Sequence, residues 1–125
     1  MFSRHAAGVS LDALVQVPSH ETKRFGEMPL LDVCASFDEA NSSGAAFLVN
    51  RSLTETLTVD INWQGTPAKT VTGAWQVTGT DPKAANSFEN PNAVVSHALS
   101  NVEIKDARVS IQVAPMSFTT ITVGY

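Results

Sequence analysis

The sequence predicts an all-β fold, an antiparallel sandwich or barrel, preceded by a short N-terminal helical remnant. Three observations carry the prediction. Apolar residues recur with a period of two in several runs, which is how a strand buries one face. The runs are short and follow one another at about ten residues, broken by Gly, Pro and Asn. No long segment shows the helical period after the first residues, so an alternating α/β architecture is excluded.

From the N-terminus, residues 1–7 read as the closing turns of a helix, with Gly8 at a C-cap position where a left-handed backbone favours glycine. A helix that short does not stand alone and reads as the tail of something upstream. Val9, Leu11, Ala13, Val15 and Val17 then describe an opening strand that Pro18 ends. Leu31, Val33, Ala35 and Phe37 share one face ahead of the turn-rich stretch Asp38 to Gly44, and Ala45 to Val49 follows as an almost continuous apolar run. That pattern is a hairpin. The most regular alternation is Leu57, Val59, Ile61 and Trp63 against Thr56, Thr58, Asp60 and Asn62. After the turn chemistry of Gln64 to Pro67, a second run places Val71, Trp75 and Val77 on one face, and the two runs read as neighbouring antiparallel strands. Val109, Ile111 and Val113 alternate with Arg108, Ser110 and Gln112, and Ser117 to Tyr125 is rich in Thr, Val and Ile, so two more strands close the chain.

With 125 residues, 43% hydrophobic and 16% charged, the chain is expected to fold as one domain around one core. A net charge of −4 with scattered basic residues argues against nucleic acid as a partner. The single cysteine, Cys34, has no internal disulfide partner and reads as a buried structural thiol, which fits a cytoplasmic location. No apolar run reaches the roughly 18 residues of a membrane span, and the first residues lack the apolar core of a secretory leader. Asn41-Ser-Ser43 and Asn50-Arg-Ser52 match the glycosylation pattern without a secretory context to use it.

Five segments carry a resemblance: Phe2-Ser-Arg-His-Ala-Ala-Gly8, Glu21 to Val33, Phe47-Leu-Val-Asn-Arg-Ser-Leu53, Thr78 to Pro91, and Pro115-Met-Ser-Phe118. The most specific pieces are Val-Asn-Arg-Ser at 49–52 and Lys-Ala-Ala-Asn-Ser-Phe-Glu-Asn-Pro at 83–91. Together they resemble the C-terminal region of family 51 α-L-arabinofuranosidases. The resemblance implies a parent enzyme with a (β/α)8 barrel that removes terminal α-L-arabinofuranosyl units, followed by this domain as an antiparallel β-sandwich, jelly-roll-like, packed on the barrel. It makes residues 1–7 the end of the last barrel helix and residues 8–125 the C-terminal domain. It also implies a retaining mechanism run by two glutamates on the barrel. Such a mechanism needs carboxyl groups about 5–5.5 Å apart, and a barrel takes roughly 250 residues.

No catalytic, cofactor or metal residue is therefore expected here. Glu89 sits in a Pro- and Asn-rich loop without a second carboxylate at a recognisable spacing. His5, His20 and His97 are too scattered for a local metal motif, and Ser96-His97 lacks a nucleophile elbow. Trp63, Trp75 and Tyr125 invite a sugar-stacking reading, but both tryptophans fall in phase with aliphatic neighbours and read as core. Lys23, Arg24 and Glu27 read as solvated charges or as an ion-pair network at the barrel contact. An accessory sandwich that stabilises a barrel and supports association of copies is the expected role, ahead of an independent carbohydrate-binding module or a free-standing enzyme.

Overall fold

The computed structural model describes residues 5–12, 19–22, 26–63, 68–79, 83–100, 102–105 and 108–125. Its strands are β1 (Val9–Leu11), β2 (Ser19–Thr22), β3 (Gly26–Pro29), β4 (Leu31–Asp38), β5 (Ser43–Asn50), β6 (Leu57–Asn62), β7 (Thr70–Val77), β8 (His97–Ala98), β9 (Glu103–Lys105), β10 (Arg108–Val113) and β11 (Ser117–Gly124). Six of them form a sheet in the order β1-β4-β5-β11-β7-β8, three form a second sheet in the order β6-β10-β9, and β2 pairs with β3 in a separate hairpin. All pairings are antiparallel. The opening strand ends at Leu11, the rest of the expected run to Val17 lies outside the described residues, and so does most of the expected helical remnant.

The core lies between the two sheets. Leu31, Leu48, Ala74, Ile121 and Val123 of the large sheet meet Val109, Ile111 and Val113 of β10, with Leu57, Val59 and Ile61 of β6 packed at the margin. The alternation in β6 and β10 therefore does what the sequence predicts. The 31–50 hairpin is also as expected, with a turn at residues 39–42 in which Ser42 takes a positive φ of 48° and donates its N–H to the Glu39 carbonyl. The run 45–49 is continuous because β5 is covered on both faces: Ala46 and Leu48 face the second sheet, while Ala45 and Phe47 are buried on the other side.

Three expectations are corrected. First, β6 and β7 are not neighbours: β6 pairs with β10 and β7 with β11 and β8, so the chain between them crosses from one sheet to the other. Their apolar faces meet across the core instead of along an edge. Second, Cys34 is exposed. Strand β4 turns Leu31 and Val33 towards the core, and the same period of two sends Cys34 to the opposite face. Partial burial, with the Asp32 carboxylate adding to it, holds the thiol pKa above its usual value, which makes it a weak nucleophile at neutral pH.

Third, Trp75 is not core. The register between β11 and β7 slips between Thr122 and Val123, where Thr122 faces Gly73 and Val123 faces Val71. The extra residue, Thr72, reverses the phase, so Val71 packs against the core but Ala74 and Gln76 replace Trp75 and Val77 on the buried face. The tip of the Trp75 ring comes so close to Gly73 that an added Cβ there would lie 2.3 Å from it. The His5 imidazole stacks on the ring at 4.4 Å with 15° between the planes. Trp63, by contrast, packs against the core edge-on to Tyr125, at 6.4 Å and 83°.

The segment 5–8 thus crosses the outer face of the large sheet. Ala6 and Ala7 line a recess with Cys34 and Phe47, and Gly8, at φ 77°, passes so near the Phe37 carbonyl that no other residue fits without moving the backbone. On this outer face Thr120 is fully buried, and its hydroxyl has no partner among the described residues. Thr120→Val keeps the shape and removes that desolvated hydroxyl, so it is expected to raise stability by about 1 kcal/mol in urea unfolding. A loss of similar size would show that the hydroxyl does have a partner.

One end of the sandwich is held by Asn50, which is 1% exposed. Its Nδ2 donates to the carbonyls of Glu55 (2.9 Å), Val113 (3.0 Å) and Ala114 (2.9 Å), and its Oδ1 accepts the Ser52 N–H (3.0 Å). The Ser52 hydroxyl accepts the N–H groups of Thr54 and Glu55, and the Ser52 carbonyl accepts from Met116. Arg51 turns outward to Asp32 at 2.9 Å. The Val-Asn-Arg-Ser segment is therefore a polar staple joining the end of β5 to the start of β6 and the β10–β11 turn. A side chain so engaged and so buried is no glycosylation acceptor in the folded domain.

Candidate functional site

The residues that tempt a catalytic reading are not brought together. Glu89 is exposed in the loop after β7, Ser96 and His97 are exposed where β8 begins, and His5 is committed to Trp75. The side chains of His20 and Glu27 lie outside the described residues, as do Lys23 and Arg24 altogether. Among the described residues, no cluster of three His, Cys, Asp or Glu side chains is placed to hold a metal ion.

A groove of about 410 Å³ does open on the outer face, lined by His5, Ser36, Asp38, Ser43, Thr72 and Trp75. Among the described residues Asp38 is the sole carboxylate in its lining, and it accepts a hydrogen bond from the Asn41 side chain at 2.6 Å. General acid and nucleophile roles need two carboxyl groups across one bond, and the described lining of this groove supplies one. Sugar stacking needs a free aromatic face. His5 is stacked on Trp75, and Trp63 and Tyr125 pack edge to face beside the core. Burial also pushes the Tyr125 phenol pKa up, with Trp63 pulling the other way.

The most distinctive surface feature is one that strand patterns do not predict. The loop between β7 and β8 is clasped by Asn86, whose Oδ1 accepts the Val94 N–H and whose Nδ2 donates to the Val94 carbonyl at 2.9 Å. Inside the clasp Ser87 and Asn90 exchange two hydrogen bonds, at 3.1 and 3.0 Å. At the tip Phe88 is wholly exposed, at 105% of its reference accessibility. The sequence singled out this Asn-Ser-Phe-Glu-Asn-Pro stretch as odd. Only the structure separates its bracing residues from the one that braces nothing.

Comparison with known proteins identifies the family. The family model for the α-L-arabinofuranosidase C-terminal domain matches residues 1–117. An intracellular exo-α-(1→5)-L-arabinofuranosidase of Streptomyces lividans is 30% identical over 95% of this chain, and one of Bifidobacterium longum is 28% identical over 76%. The chain spans only 18% of the length of either relative. In structure it superposes on a family 51 α-L-arabinofuranosidase of Bifidobacterium longum with a TM-score of 0.89 and 23% identity, covering 98% of this chain and 24% of that one. A whole-chain family match, a relative at 30% identity and a shared all-β architecture place this chain in the α-L-arabinofuranosidase C-terminal domain family, as a C-terminal domain of family 51 arabinofuranosidases.

Proposed function

We propose that this domain is the non-catalytic partner of a (β/α)8 barrel in an α-L-arabinofuranosidase, packing against the barrel, stabilising it and supporting association of copies. The parent enzyme would release terminal non-reducing α-L-arabinofuranosyl units from arabinan or arabinoxylan with retention, using two barrel glutamates. It would act inside the cell, as the names of its relatives say of those proteins. The observation that carries the reading is the fraction of each relative that the match covers: 95% and 76% of this chain correspond to only 18% of theirs. The one carboxylate in the described lining of the groove and the stacking of His5 on Trp75 support it against an independent enzyme and against a sugar-binding module.

The 125-residue chain alone is expected to show no turnover of an aryl α-L-arabinofuranoside and no retardation in gels containing arabinan. Turnover that survives repurification and disappears with a point substitution in this chain would defeat the reading. In the longer chain, cleaving the junction ahead of this domain is expected to lower the thermal midpoint of the remaining enzyme.

A further inference from the structure

Loops leaving one end of this sandwich carry exposed large apolar side chains. Strand β5 ends where β11 begins, with Asn50 opposite Ser117, and β7 ends beside them, with Val77 opposite Phe118. The loops leaving that end carry Leu53 (68% exposed), Phe88 (105%) and Val95 (37%), three of the four exposed large hydrophobics among the described residues. Phe88 stands out because its loop is already ordered. The Asn86–Val94 clasp and the Ser87–Asn90 exchange hold the backbone on either side of it, while the ring is fully in solvent. A loop braced in this way has met its ordering cost before any partner arrives.

The size of the feature limits what it can bind. One phenylalanine buries roughly 150–250 Å², whereas a stable contact between free proteins removes about 800 Å² from each partner. A finger this small holds only a partner kept close by a covalent tether, which raises the effective concentration to the millimolar range. The relatives have such a partner, since the matched region is 18% of their length.

We propose that Phe88 is a docking residue whose ring seats in an apolar pocket on the catalytic part of the same longer chain. This rests on the reading of the domain as packed against that part. Leu53, at the same end, belongs to the same contact.

The test uses the longer chain that carries this domain, in a Cys34→Ala background because Cys34 is itself exposed. Alkylation by iodoacetamide is followed site by site by peptide mass for the thiols introduced by Phe88→Cys and, as an exposed reference at the opposite end, Lys69→Cys. The Phe88→Cys thiol is expected to react at least tenfold more slowly than the reference, equally at nanomolar and micromolar protein. In parallel, Phe88→Ala is expected to speed proteolysis at the domain junction severalfold, a readout that also covers loss of docking caused by the smaller thiol side chain. Equal alkylation rates together with unchanged proteolysis overturn the proposal. Protection that fades on dilution overturns it too, because the occupant would then be a second copy. Thermal unfolding of the unsubstituted longer chain separates the two ideas. If the proposal fails while both parts melt in one transition, the packing reading stands; if they melt separately, both fall.

Discussion

Asn50→Ala is expected to lower the stability of the domain by about 3 kcal/mol or more, measured as the free energy of urea unfolding. The substitution removes one donor group shared by three carbonyls and the acceptor of one N–H, all at a position with 1% exposure. Each buried group left without a partner costs roughly 1–3 kcal/mol. The carbonyls of Val113 and Ala114 belong to the turn between β10 and β11, so the damage reaches both sheets. Asn50→Asp should be worse, since it turns a donor into a charge facing those same carbonyls in a buried site. That loss should relax as pH falls through the carboxylate range. An Asn50→Ala variant within about 0.5 kcal/mol of the parent would mean that water replaces the side chain and that the staple is decorative.

Ile121→Ala is expected to cost about 4 kcal/mol, and Ile121→Val about 1 kcal/mol. Ile121 is fully buried on β11, the strand with β5 on one side and β7 on the other, and its neighbours in register are Ala46 and Ala74. Those two alanines are short, so the isoleucine alone fills the space up to the valines and isoleucine of β10. A central strand held on both edges has little freedom to close a cavity, which puts the truncation near the top of the usual range. The midpoint should move with little change in the denaturant slope. A cost below about 1.5 kcal/mol for the alanine variant would show that β10 collapses onto the gap, and the sheets would then be less firmly spaced than the packing implies.

Which parts of this were legible in the sequence depended on the range of the interaction. Leu57, Val59 and Ile61, or Val109, Ile111 and Val113, announce a strand and its buried face because side-chain direction alternates residue by residue. The apolar run 45–49 announces a strand of the hairpin, and its coverage on both faces came with the structure. Alternation says nothing about which edge a strand joins. The β6–β7 pairing was therefore misread, because a short connection fits a hairpin and a sheet-to-sheet crossing equally well. Gly73 was the available warning at Trp75, since a glycine inside a strand often marks a bulge. Cys34 was misjudged by composition even though the phase of its own strand sent it outward. Asn50 and Phe88 were both inside segments that stood out as unusual, but their opposite roles, one wholly buried and one wholly exposed, had no local signature.

By itself the sequence determined that this chain is an all-β sandwich, which residues face inward along its regular strands, and the family to which it belongs. These follow from local periodicity and from motifs, which are properties of consecutive residues. Only the tertiary structure decided the sheet partners, the bulge that hands the buried face from Trp75 to Ala74 and Gln76, the carbonyls that Asn50 serves across 63 and 64 residues of chain, and the solvent-facing ring of Phe88. The physical reason is common to all four: each is set by which distant backbone arrives alongside, and that is chosen by the packing of the whole core.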